Sequence, residues 1–412
     1  VQVTGHLDVS RGQSAVQTGL FSTAAGTGAG GKLTVSADSE KLAGGLINAS
    51  SANAGDGGSI GLNANTLVMN AGGEVRIFSS GAGFGFSIDV RVTGQLDISR
   101  GEGAAQTGLF SSAAGAGAGG MLTVSADSVT LAGGEINASS ASEGHGGSLS
   151  LQAKTLVMNA GGEMNTSTTG AGSGGSIDVQ VSGPLSIDGQ ASDGFSSGIY
   201  SSAQGGGEGG NISVAASTFT MTDHAVMSSK SDGSGNAGNI YLAAADLTLN
   251  NSTITTEALQ ADGGNIKVDV TGTVLLRNSE MSAAVAGGLG NGGNVSIDPQ
   301  FVILDNSRVL ASAVGGNGGN ILIVTDHFIS SGGSVLDASS QLGIDGTVNV
   351  LTPDDDLDSN LVELPVSYLD AAGLLSEPCS TRRYSDRSSL TVAARRVAPL
   401  MPGSSQMLLS SY

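Results

Sequence analysis

The 412-residue chain has no tryptophan, one cysteine, seven prolines and only 3% aromatic residues. A globular core of this size usually rests on large aromatic anchors; here the apolar side chains are nearly all Val, Ile, Leu, Met and Ala. The single cysteine, Cys379, excludes an intrachain disulfide framework and any multi-cysteine zinc site. It reads as a free thiol or as a link between two chains. No run of 18 apolar residues occurs, so no transmembrane helix is expected. Positive charge is scarce: 16 Lys and Arg stand against 36 Asp and Glu, a net charge of −20. That argues against nucleic acid as a partner, because no basic footprint exists to neutralise phosphates. It equally argues against electrostatic docking to anionic membranes. The plain role of the charge is to keep a long, strand-rich surface from self-association. The opening VQVTGHLD has no Met, no basic region and no apolar stretch, so any targeting segment is expected upstream of Val1.

What is abundant is glycine, 67 residues without a collagen period, and it falls in repeats at two scales. Residues 1–89 match residues 90–178 almost without gaps, and a divergent third copy opens at Val179. Inside these runs a shorter unit, usually marked by Gly-Gly, places its second marker residue at 31, 58, 86, 120, 147, 175, 210, 238, 264, 293, 319 and 346. The spacing is 26–29 residues except for two intervals of 34 and 35. After every mark the second and fourth residues are aliphatic, as at Leu33 and Val35 or Ile212 and Val214, while the first and third are polar or small in most cases. This period-2 alternation predicts a half-buried strand.

Two further short strands follow in each unit, separated by Asn, Asp, Ser and Gly that suit left-handed turns. Asn70, Asn159, Asn250 and Asn306 sit just after the second run and are expected in those turns. A unit of about 27 residues cannot bury its aliphatic face alone, but stacked units share one core. The expected fold is therefore all-β: a right-handed parallel β-helix, a solenoid of about twelve coils over residues 1–350, the hand following the general preference of parallel connections. Residues 351–412 form a C-terminal module, partly irregular or disordered. Its last stretch, 379–412, carries five Arg against one Asp and could lie against the acidic rod or cap it.

The GG-[NS]-[IVL]-x-[VIL] coils and the module reading DASSQLGIDGTVNVLTPDDDLDSNLVELP, then Cys379-STRR, then SSLTVAARRVAPLMPG, resemble the filamentous-haemagglutinin-like exoproteins of two-partner secretion systems. The stretch AARRVAPLMP lacks the glycines of that family's Gly-Arg-Gly-Gly-like segment, and no Asn-Pro dipeptide of its secretion domain occurs. The resemblance implies export across a Gram-negative outer membrane by a partner β-barrel transporter. It implies a secreted or cell-surface location and an adhesive or aggregative role towards surface glycans or proteins. A chain without disulfides could cross a pore unfolded and fold coil by coil outside.

Parallel β-helices also carry polysaccharide lyases and hydrolases, whose sites need acids converging on one groove. Asp89, Asp178, Asp269 and Asp298 do not hold one offset from their marks and read as solvated acids of the outer face. His6, His145, His224 and His327 include two Asp-His pairs, Asp223–His224 and Asp326–His327, that read as turn residues. Asp354, Asp356 and Asp358 open like a calcium loop, but Ser359 and Pro365 stand where Gly and Glu are required, leaving weak calcium binding at most. Glycine strings such as GAGAGGML lack the βαβ context of nucleotide binding. The reading is a non-enzyme with no catalytic residue, cofactor or metal ligand singled out. The alternative, a carbohydrate-active enzyme or a non-catalytic sugar-binding module, would have to use the two long intervals, 86–120 and 175–210.

Overall fold

The computed structural model describes residues 1–353 apart from 12–16, 54 and 102–105. Cys379, Asp354, Asp356, Asp358 and the module 354–412 lie outside the described residues. The first compact unit runs Val1–Pro353.

Within it every named strand pairs in parallel with its counterpart one coil away, and no helix occurs among the described residues. Each coil presents three faces. The first face starts one or two residues after the mark, and its columns are those expected: Leu33, Ile60 and Ile88 stand in register, as do Ile177, Ile212, Ile240 and Ile266. The third face is a twelve-stranded sheet of short strands, with the inward column Ile47, Val75, Leu109, Ile136, Met164 and Ile199. First and second faces merge wherever one strand runs through the bend, as in Ser59–Asn70, Ser87–Ser99, Met121–Ala132 and Ser148–Asn159. The chain is thus a parallel β-solenoid of about twelve turns around one continuous aliphatic core. Each large aliphatic side chain buried there contributes roughly 1.5–3 kcal/mol, so the sum accrues coil by coil.

The Gly-Gly marks have a steric cause. At Gly147 a Cβ would stand 2.0 Å from the carbonyl oxygen of Gly120 on the preceding coil. The corner between first and third faces can close that tightly only without side chains. In the later coils the residue after the mark is an asparagine, and these amides form a ladder. The side-chain amide of Asn265 donates to Asn239 Oδ1 at 3.0 Å, and Asn294 donates to Asn265 Oδ1 at 2.9 Å.

The corner between second and third faces corrects the placement of the left-handed residues. Asn70 and Asn159 end their strands in extended conformation; positive φ falls on the next two residues, Ala71 and Gly72 (50° and 83°) and Ala160 and Gly161 (50° and 81°). With Gly73 N–H donating to Asn70 O at 2.9 Å, this is the pattern of a type I′ turn, which demands two successive left-handed residues. Asn250 likewise yields to Asn251, while Asn306 is itself left-handed. Asp223 and His224 are the central pair of a similar turn, closed by Ala225 N–H to Thr222 O at 3.2 Å. Asp326 precedes the strand His327–Ser330, so His327 belongs to a strand instead of a turn.

Candidate functional site

The two long intervals become loops at one corner, between second and third faces. On the third coil the extra length falls between Ser99 and Gly108, where 102–105 lie outside the described residues, and on the sixth it forms the loop 189–197. The fourth and fifth coils between them turn tightly, through Gly133–Gly134 and Gly161–Gly162. These two coils therefore form a notch beside the loop 189–197, and Arg100 of the third coil pairs with Asp193 of that loop at 3.8 Å.

The third-face strands that cross the notch begin with Glu135 and Glu163, which are in register with each other. Parallel strands lie about 4.8 Å apart, so these carboxyls are neighbours on the notch floor. Gln106, at the foot of the first loop, donates to Glu135 Oε2 at 3.3 Å. Asn137 donates to Glu135 Oε1, and Asn165 donates to Glu163 Oε1 at 2.5 Å. Each asparagine is held in turn by a backbone N–H, Ser139 and Ser167, donating to its Oδ1 at 2.7 Å. Tyr200 follows Asn165 in register, with its hydroxyl donating to Ser196 O of the second loop at 3.1 Å. Phe195, on that loop, is 68% exposed.

Burial raises the pKa of both carboxyls. For Glu163, desolvation, with the charge of Glu135 beside it, pushes the value up to about 7 despite the Asn165 hydrogen bond. Glu135 is raised by the same burial, held back by Asn137 and by Arg100. Desolvation and Glu163 push the Tyr200 phenol upward as well. Two adjacent carboxyls with different environments, one holding its proton near neutrality, can divide the roles of acid and base. A third carboxyl, Glu74, lies two coils away in the same column, raised by burial and restrained by Arg76 at 3.5 Å.

The acids weighed from the sequence lie elsewhere. Asp89 pairs with Arg91 at 2.6 Å, and Asp178 accepts from Gln180 at 3.0 Å, both on the first face. Asp269 and Asp298 are in register there, Asp269 accepting from the Tyr241 hydroxyl at 3.4 Å. The histidines are scattered: His6 meets Ser39 at 3.3 Å, His145 Nδ1 accepts from Ser173 N–H at 2.9 Å, and the His327 ring stacks on Phe301 at 4.9 Å. His224 meets the Asn251 side chain at 3.1 Å. Among the described residues no three His, Cys, Asp or Glu come together as metal ligands, and no helix is long and apolar enough to cross a membrane. Glu74, Glu135 and Glu163 were not singled out from the sequence. A signal for them exists: each follows the same Ala-Gly-Gly triplet, at 71–73, 132–134 and 160–162.

Beyond the loop 189–197 the corner continues as an open polar groove of about 490 Å³, lined by Gln190, His224, Asn251, Asn278, Asn306 and Arg308 among others.

No family model, no curated protein and no solved structure matches the chain.

Proposed function

We propose that the chain is the rod of a secreted, surface-displayed bacterial protein of adhesin type. In this reading it is exported by two-partner secretion through an outer-membrane β-barrel transporter and makes contact with glycans or proteins of other surfaces. The observation that carries it is the parallel coil-on-coil pairing of every named strand. Each coil packs on its neighbours alone, so the protein extends by repetition and offers long lateral faces of short polar side chains. The test is binding of the purified chain to a polysaccharide panel and to whole bacterial cells, with reducing ends assayed in the same samples. Binding without cleavage is the expected result; no binding to any surface would remove the adhesive reading.

A second reading, glycoside cleavage, is favoured by one specific feature, the Glu135–Glu163 pair in the notch. Adjacent carboxyls are the minimal machinery for retaining hydrolysis. Under this reading reducing ends appear with the parent chain and vanish in Glu163→Gln, while folding is kept.

A further inference from the structure

We propose that the groove running from the loop 189–197 towards the eleventh coil is a binding site for an uncharged, hydroxyl-rich polysaccharide lying along the rod axis. This rests on the adhesive reading and gives it a place and a ligand class.

The groove begins at Gln190 and Ser196 on the loop and ends at Gly333, so it spans coils six to eleven. At about 4.8 Å per coil that is roughly 24 Å, enough for an extended chain and comparable in repeat with one. Along it the coils present side chains of one kind at one register position: the left-handed turn residues His224, Asn251, Asn278 and Asn306. Left-handed backbone is a conformation that Asn tolerates better than most residues, which accounts for the residue type. It leaves open what the amides do once there. The Asn306 side chain donates to Asn278 Oδ1 at 2.8 Å, and that of Asn251 meets His224 Nε2 at 3.1 Å. Those bonds leave Asn278 Nδ2, Asn251 Oδ1 and Asn306 Oδ1 unengaged. One donor, on Asn278, thus lies between two acceptors, on Asn251 and Asn306, at the coil spacing, the combination that hydroxyl groups satisfy, since a hydroxyl both donates and accepts.

Charge and backbone narrow the ligand further. The groove's Arg308 is paired with Glu280, so no free cation waits for an acidic polymer, and the chain carries a net charge of −20. An extended peptide would seek a strand edge. None is offered here, because the backbone groups are committed to coil-to-coil bonds, such as Asn251 N–H to Arg277 O at 2.9 Å and Glu280 N–H to Ser252 O at 3.0 Å. The groove has few aromatic walls, which suits hydrogen-bonded recognition over ring stacking.

The test uses the full chain with cellohexaose, xylohexaose and maltohexaose, and with polygalacturonate and an extended peptide for comparison, by calorimetry. At least one neutral hexaose binds. Thr253→Trp fills the groove from an outward position of the third face and raises its Kd by about tenfold or more. Ser296→Trp, outward on the first face, leaves it unchanged. Gln190→Ala with Arg308→Ala, both on exposed side chains, weakens binding without adding bulk, which guards against misfolding of the Trp variant. Binding to none of the three hexaoses, tighter binding of polygalacturonate or peptide, or an unchanged Kd in Thr253→Trp overturns the proposal. Whole-cell adhesion that survives Thr253→Trp sinks the groove and leaves the adhesive reading standing. Hexaose binding in the groove without any cell adhesion by the parent chain does the reverse.

Discussion

Glu40 and Leu67 hold the same inward position on successive coils, so a carboxyl stands in a column of aliphatic side chains. Leu7 precedes it in that column. Glu40 is fully buried and neither carboxylate oxygen has a hydrogen-bond partner. Desolvation pushes its pKa up to about 7. In the matching copy one large repeat later the position is Val129, so the carboxyl is a local departure from a pattern that otherwise keeps this column apolar.

The pH dependence follows from that shift. Below the ordinary carboxyl value, folded and unfolded chains both hold the proton, and no ionic cost arises. As pH rises from there to about 7, the unfolded chain releases the proton while the folded chain keeps it, so stability falls. Above 7 the loss is complete, about 3 kcal/mol at 1.36 kcal/mol per unit. Glu40→Val therefore stabilises the N-terminal coils, more at pH 8 than at pH 4. Hydrogen exchange of the amides in Ser39–Ala43 and Ser59–Asn70 measures this; equal protection gains at both pH values would show that Glu40 titrates alike in the folded and unfolded chains.

The fold was legible because every coil repeats one message, two aliphatic residues at fixed offsets from a mark. Twelve noisy copies agree where a single strand would be ambiguous. The turn corner was read one residue early at Asn70, Asn159 and Asn250, since asparagine tolerates the left-handed region well but alanine followed by glycine can fill it too. The carboxyl notch escaped for another reason. Glu135 and Glu163 are 28 residues apart in sequence and ordinary in composition; only the register brings them side by side, on the two coils that turn tightly through Gly133–Gly134 and Gly161–Gly162. The acids that drew notice, such as Asp89, did so by lying next to the conspicuous marks, where alternation turns them outward.

The asparagine ladder contributes by continuity. Asn265 both donates to Asn239 and accepts from Asn294, whose backbone N–H reaches it at 3.0 Å. Asn265→Ala breaks bonds on both sides, whereas Asn211→Ala, at the ladder's first rung, breaks only those from Asn239. At about 1 kcal/mol per hydrogen bond, the three bonds lost at Asn265 against two at Asn211 make the central substitution cost about half as much again in denaturant unfolding. Equal costs would mean that the bond Asn265 donates to Asn239 adds nothing to stability.

Two glycines give opposite expectations for the same change. Gly147→Ala drives a Cβ against Gly120 O and must push adjacent coils apart, a cost of roughly 1–3 kcal/mol or more. Gly61→Ala, in the strand Ser59–Asn70, meets nothing within 4 Å and reduces the freedom of the unfolded chain. A gain of about 0.5 kcal/mol is expected there. Thermal unfolding of the pair checks both signs, and a neutral Gly147→Ala would remove the steric account of the marks.

The last prediction concerns how the two notch carboxyls sense each other. Glu135 raises the pKa of Glu163 through its charge, since it ionises first. In Glu135→Gln the burial of Glu163 and its bond from Asn165 remain, while the neighbouring charge is gone. The Glu163 carboxyl therefore titrates lower in that variant, and in Glu163→Gln the Tyr200 phenol, which the Glu163 charge raises, ionises at lower pH. Carbon-13 titration of the labelled glutamates reads the first effect and ultraviolet titration of tyrosine the second. Stability supplies an independent arm. Since the folded pKa of Glu163 lies above the unfolded one, its stabilising share is present at acid pH and lost as pH rises to about 7, so Glu163→Gln gains on the parent above neutrality and not below pH 4. A Glu163 titration that does not move in Glu135→Gln would mean that water screens the pair, and with it would go the division of acid and base roles in the notch.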